Sequence, residues 1–178
     1  MTPEDTEQLG RDIVAAAVLQ GDFTLRSGQK SSYYIDKYRL TTEPVLLARI
    51  TDALVELVPD GVDRIAGTAL GAVPLATSLS LRTGLPAVFV RVDAAKDHGT
   101  SRSIEGVLES GDALVLVEDV VTTGGASLAA VEILQGAGAT IAAVLAVVDR
   151  EQGGTERFAG AQLPFHALFT SSNLGLEE

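Results

Sequence analysis

The chain has 178 residues, 46% of them hydrophobic, with 24 acidic residues, 13 basic residues and no cysteine. That length and apolar content suit one compact domain and exclude collagen, coiled coil and wholesale disorder; the missing cysteines exclude disulfides, iron–sulfur clusters, thiolate zinc sites and cysteine nucleophiles. A net charge of −11 repels nucleic acid and anionic lipid, and it fits either an ordinary acidic cytosolic protein or one adapted to high salt.

In chain order, Thr2-Pro3-Glu4-Asp5 reads as a helix start, with Thr2 as the cap, Pro3 in the first turn and Asp5 closing the box. Leu9, Ile13, Ala16 and Ala17 keep helical spacing, and the helix is expected to reach Gln20 and stop at Gly21-Asp22. Residues 23–26 and 33–39 read as the strands of a hairpin around the turn-like Ser27-Gly28-Gln29-Lys30-Ser31. Thr42 opens a second helix, with Leu47, Ile50, Leu54 and Val58 on one face. Strands are then expected at 62–67, 86–92, 113–117, 140–148 and 163–168, and helices at 72–83 and 126–135. Strands alternating with helices predict parallel βαβ units in a doubly wound α/β sheet with right-handed crossovers.

Residues 93–111 break that alternation. They carry Lys96, Asp97, His98, Gly99, Ser101, Arg102, Ser103 and Gly106 and little that can be buried. A loop this long within a compact domain is usually functional or disordered. The two histidines, His98 and His166, lie far apart in sequence, so no histidine-rich metal site is expected. No apolar run approaches the roughly 20 residues of a membrane span. The first residues lack the basic start and apolar centre of a signal peptide, so a cytoplasmic location is expected.

The strongest local signal is Leu114-Val115-Leu116-Val117-Glu118-Asp119-Val120-Val121-Thr122-Thr123-Gly124-Gly125-Ala126-Ser127. An apolar strand runs into two carboxylates, and a turn of small residues leads on into a helix. Ligands of open α/β sheets sit at the carboxyl ends of the strands. The small turn lets backbone N–H groups close on a phosphate at the helix N-terminus, and Thr122, Thr123 and Ser127 add hydroxyls. Neither the Walker spacing nor GxGxxG is present. Glu118 and Asp119, expected where the strand gives way to the loop, suit the hydroxyls of a ribose diol or a phosphate-bound Mg²⁺.

These residues resemble the phosphoribosyl-pyrophosphate (PRPP) motif of type I phosphoribosyltransferases. The resemblance extends to orotate phosphoribosyltransferases. Phe23-Thr24-Leu25-Arg26-Ser27-Gly28-Gln29-Lys30-Ser31-Ser32-Tyr33-Tyr34 looks like their orotate-binding segment, Lys96-Asp97-His98-Gly99 like their mobile catalytic loop, and Asp149-Arg150 like their orotate-carboxylate anchor. Tyr34-Ile35-Asp36-Lys37 and Ala69-Leu70-Gly71-Ala72-Val73-Pro74 are similar to the haloarchaeal branch.

The resemblance implies the type I phosphoribosyltransferase fold over residues 1–178. It has a small N-terminal hood hairpin at about 20–40 and a catalytic loop at about 93–110. It implies transfer of the phosphoribosyl group of PRPP to N1 of orotate in pyrimidine synthesis, with Mg²⁺ carried by PRPP. It further implies a homodimer whose catalytic loop acts across subunits. The catalytic residues it implies are Lys96, His98 and Asp119. Its PRPP contacts fall on Arg91, Lys96, His98, Glu118, Asp119, Val120, Val121, Thr122, Thr123, Gly124, Gly125, Ala126 and Ser127. Its orotate contacts fall on Arg26, Tyr34, Thr122 and Arg150.

The chain departs from the family pattern where Leu70-Gly71 replaces Tyr-Lys and where Val92 replaces a lysine. Even so, all three lysines, Lys30, Lys37 and Lys96, fall inside motif segments. The alternatives are a phosphoribosyltransferase for a purine or another base, and a non-catalytic PRPP-sensing regulator on the same fold. Arg150 speaks against a purine, which has no carboxylate to bind. The short acidic segment before Asp22 speaks against a DNA-binding regulator.

Overall fold

Thr2 caps helix α1 (Pro3–Ala17) as expected. Its hydroxyl accepts from the Asp5 N–H at 3.2 Å, and its own N–H donates to Asp5 Oδ2 at 3.2 Å. The computed structural model describes residues 1–24, 30–92 and 103–176. Leu9, Ile13 and Ala17 are the buried stripe of α1. The helix stops at Ala17 and not at Gln20, because Val18 opens strand β1 (Val18–Thr24). β1 pairs antiparallel with β2 (Lys30–Ile35), Val18 opposite Ile35 and Gln20 opposite Tyr33. Gly21 and Asp22, expected to end the helix, form the bulge between Gln20 and Phe23 instead. Pairing with the next strand outweighs a helical spacing that is short at its end.

The second half of the expected strand 33–39 is also helical. Asp36 accepts from the Tyr38 N–H at 3.2 Å and starts α2 (Lys37–Thr42). Glu43, not Thr42, caps α3 (Pro44–Val55), accepting from the Leu46 N–H at 2.6 Å. There follow β3 (Arg64–Thr68), α4 (Val73–Thr83), β4 (Ala87–Val90), β5 (Ile104–Glu105), β6 (Ala113–Val121), α5 (Gly125–Gly136), β7 (Thr140–Asp149), α6 (Gly154–Gly160) and β8 (Phe165–Thr170). Two of these were not expected. β5 lies inside the stretch read as loop and pairs antiparallel with β4. α6 is too short to show an amphipathic period.

The main sheet has the order β5-β4-β3-β6-β7-β8, with every neighbouring pair parallel except β4–β5. From β3 the chain passes through α4 to β4 on one side, whereas β6 lies on the other side of β3. That reversal of strand order opens a crevice at the carboxyl ends of β3 and β6, where open α/β sheets bind ligands.

Alternation along the strands divides the core. Ile65, Val115, Val117, Leu145 and Val147 join Leu9, Ile13, Leu40, Ile50, Leu54, Leu75 and Leu79 in one cluster. Ala66, Leu114, Leu116, Val144 and Ala146 join Ala130, Val131, Leu134 and Phe158 in the other. Thus α1, α3 and α4 cover one face and α5 and α6 the other. Among the described residues no helix is long and apolar enough to cross a membrane.

Gly67 permits the close approach of α4 to β3. A Cβ there would lie 2.7 Å from Ala76 Cβ and 2.9 Å from the Ala72 carbonyl oxygen. Gly67→Ala is expected to destabilise the fold by about 1–3 kcal/mol, the usual cost of overpacking, and a thermal melt reads this as a lowered Tm. Gly136, where a Cβ meets nothing within 4 Å, is the control: Gly136→Ala leaves Tm unchanged or raised.

Candidate active site

The crevice takes its carboxylates from the last part of β6. Because side chains alternate, Glu118 and Asp119 point to opposite faces of the sheet. Both are buried within the strand, which runs on to Val121, and not poised at its junction with the loop as expected.

Glu118 turns toward α5. Its Oε1 accepts from Ser127 Oγ at 2.9 Å, and its Oε2 accepts from Thr68 Oγ1 at the end of β3. Burial raises its pKa from 4.5 to about 7, and the neighbouring Asp119 adds to the rise; the two hydroxyls and Lys37 oppose it. Glu118 and Ser127, both read in the sequence as PRPP contacts, are thus buried, and with Thr68 they form one hydrogen-bonded trio. The trio ties β3, β6 and the start of α5 together, and Thr68 is a member that sequence reasoning missed. Its only signal was its place at the end of a strand whose neighbour in the sheet was not yet known.

Asp119 turns toward α2. Its Oδ1 accepts from the Val120 N–H at 2.6 Å. Its Oδ2 lies 3.1 Å from Lys37 Nζ, an ion pair without hydrogen-bond alignment. Lys37 lies in a motif segment, but the sequence alone gives it no role.

The turn that follows stays open. Thr122, Thr123, Gly125 and Ala126 are exposed, while Val121 and Gly124 are buried and Val120 is half-buried. No side chain caps α5, so its first N–H groups and positive dipole end face the crevice, an arrangement suited to a phosphate.

The remaining predicted residues are placed as follows. Arg150, one residue past β7, is buried, with its guanidinium carbon 4.8 Å from the centre of the Tyr33 ring. The backbone N–H of Arg150 donates to the Val121 carbonyl at 2.8 Å, which joins it to the same turn. Tyr33 in turn exchanges a hydrogen bond with Ser171 at 3.2 Å, anchoring the hairpin on the main sheet. Tyr34 is exposed on the hairpin, its ring 5.6 Å from that of Phe23. Arg91, just past β4, pairs with Glu105 of β5 at 3.8 Å. Lys30 is exposed and donates to Thr24 Oγ1 at 2.9 Å. Arg26, Lys96, His98 and Arg102 lie outside the described residues.

A buried carboxylate paired with a lysine, an exposed small-residue turn before an uncapped helix, and an arginine beneath a tyrosine suit a phosphorylated sugar beside a small anion. The phosphoribosyl transferase domain family matches residues 39–161. Orotate phosphoribosyltransferase of Methanocella arvoryzae is 44% identical, covering 96% of this chain and 97% of its own. The chain belongs to the orotate phosphoribosyltransferase family.

The enzyme of that name from Halobacterium salinarum is 43% identical over 90% of each chain. Methanogen and halophile relatives thus match about equally, and the haloarchaeal branch is not singled out. The fold agrees as well. The orotate phosphoribosyltransferase of Mycobacterium tuberculosis, solved in complex with PRPP, superposes with a TM-score of 0.80 at 32% identity, covering 97% of this chain and 99% of that one. The type I phosphoribosyltransferase fold, with its mainly parallel sheet between helices, is therefore established. Neither a purine-base transferase nor a PRPP-sensing regulator is favoured.

Proposed function

We propose that the crevice at the ends of β3 and β6 is where this chain carries out its family's reaction. N1 of orotate gives up its proton, to the departing pyrophosphate or to solvent, and bonds to the anomeric carbon of PRPP. The bond from that carbon to the pyrophosphate oxygen breaks, and orotidine 5′-monophosphate and pyrophosphate result. The observation that supports this reading is the reversal of strand order at β3 and β6, beside which β6 carries Asp119 and leads on to the uncapped start of α5.

In this reading the exposed turn of Thr122, Thr123, Gly125 and Ala126 receives the 5′-phosphate through backbone N–H groups and the threonine hydroxyls. Asp119 accepts from the ribose hydroxyls. Arg150, held beneath Tyr33 of the hood, pairs with the orotate carboxylate by a charge-assisted bond, and Tyr34 and Arg26 belong to the same orotate side. Glu118 acts behind the site, fixing β3 and α5. Lys96 and His98 donate to the leaving pyrophosphate, with Arg91 on the same side.

Mg²⁺ is expected to arrive on the pyrophosphate of PRPP, where it would withdraw charge from the leaving group. Two further parts of the reading are a homodimer in which residues 93–110 reach across to the partner's site, and a cytoplasmic location.

Loss of orotate absorbance that requires both PRPP and Mg²⁺ tests the activity. The same assay at molar KCl tests the reading of the acidic surface as salt adaptation, for which the rate rises with salt. Lys96→Ala is expected to lower kcat by roughly 10²–10³-fold, as when a donor to developing negative charge is removed, while PRPP still binds in a calorimetric titration. Unchanged turnover would remove Lys96 from the mechanism.

A further inference from the structure

The geometry points to Lys37 as a positioning residue for PRPP: its ammonium reaches Asp119 across the bare backbone of Gly71 and sets that carboxylate toward the ribose. The inference rests on the reading of Asp119 as the ribose-binding acid.

Lys37 is the first residue of α2, and the Asp36 side chain caps that helix. Its Nζ lies 3.1 Å from Asp119 Oδ2. The path between them exists only because residue 71 has no side chain. A Cβ on Gly71 would fall 1.8 Å from Asp119 Oδ2 and 2.8 Å from Lys37 Nζ. Such a Cβ would displace both groups, so the ion pair and the glycine form one device.

The other charges near Lys37 leave its ammonium to Asp119. Asp36 is engaged with Arg39 at 3.3 Å, and Glu118 points to the opposite face, into the hydroxyls of Thr68 and Ser127. The Tyr38 ring centre is 5.8 Å from Nζ, a weak further attraction.

The pair is also asymmetric. The Asp119 side chain is 4% exposed and that of Lys37 39% exposed. The ammonium therefore lies on the solvent side of a buried carboxylate, where a ligand arrives. PRPP is a polyanion approaching two adjacent acidic residues in a chain of net charge −11. Lys37 offsets that repulsion locally and holds Oδ2 in place, while the Val120 N–H holds Oδ1.

The test is a double-mutant cycle read as KM for PRPP, KM for orotate and kcat, with a thermal melt of each variant. Lys37→Met is expected to raise KM for PRPP roughly tenfold, the scale of leaving a buried charged group without its partner. KM for orotate stays within about twofold, since the pair lies on the sugar side and not the base side. Lys37→Arg recovers most of the loss. In the Asp119→Asn background, Lys37→Met adds little, because the partner is already gone.

If Lys37→Met leaves KM for PRPP unmoved while Asp119→Asn raises it, the role of Lys37 is overturned and the ribose-binding acid stands. Fully multiplicative effects of the two substitutions would also overturn it, since Lys37 would then act independently of Asp119. If Asp119→Asn itself does not weaken PRPP, the underlying reading falls. Should Lys37→Met melt abnormally, Lys37→Gln replaces it in the cycle.

Discussion

Asp119→Asn is expected to fold and to lose about 10–150-fold in kcat/KM for PRPP, equivalent to about 1.5–3 kcal/mol for a hydrogen bond to a charged group. The substitution keeps the shape of the side chain and one carbonyl-type oxygen, so the Val120 N–H still finds an acceptor where Oδ1 stood. On the other side an amide N–H₂ faces the Lys37 ammonium, which lies 3.1 Å from Oδ2 in the wild type. Two donors then meet with no acceptor between them. The ammonium is half-exposed and can turn to water, so the fold survives while the ligand loses its anionic acceptor. Steady-state kinetics with PRPP varied, beside a direct PRPP titration, check this. An unchanged KM for PRPP would place the sugar elsewhere.

The second large effect concerns stability and pH. The Glu118 carboxyl is raised by burial from 4.5 to about 7. Between those two values the folded protein keeps a proton that the unfolded chain has already released. Stability contributed by this group is therefore fully present below pH 4.5 and falls as pH rises toward 7. The slope is about 1.4 kcal/mol per pH unit, giving a loss on the order of 3 kcal/mol above the window.

Glu118→Gln removes the titration. Its amide accepts from one hydroxyl and donates to the other, since the hydroxyls of Thr68 and Ser127 can rotate. The variant is expected to match the wild type near pH 4 and to exceed it in stability at pH 8. Urea denaturation of both proteins at the two pH values reads the difference. Asp5, Asp12, Asp112 and Glu151 are held below the usual carboxylate range by hydrogen bonds, chiefly from Thr2, Arg49, Arg64 and Ser172 respectively, and act in the opposite sense. They are common to both proteins and cancel in the comparison. An advantage of Glu118→Gln that does not grow with pH would show that Glu118 is not the group responsible.

Much of this protein is readable without coordinates, for a local reason. The Thr2–Asp5 box, the apolar run into Glu118 and Asp119, and the small-residue turn before α5 each depend on neighbours within a few positions, where residue chemistry and spacing act directly. The alternation of strands and helices has the same origin, since a strand buried on both faces must be apolar throughout.

What escaped that reading depends on partners far along the chain. The end of α1 yields to a strand because Ile35 and Tyr33 lie opposite Val18 and Gln20. The division of labour between Glu118 and Asp119 requires the strand order, which brings Thr68, 50 positions away, to one of them and Lys37 to the other. The sequence by itself determined the chemistry available: two acids, a phosphate-sized turn and a few well-placed cations. Only the tertiary structure decided which acid is buried among hydroxyls and which meets a cation. Alternation sends adjacent side chains to opposite faces, and strand order chooses what waits on each.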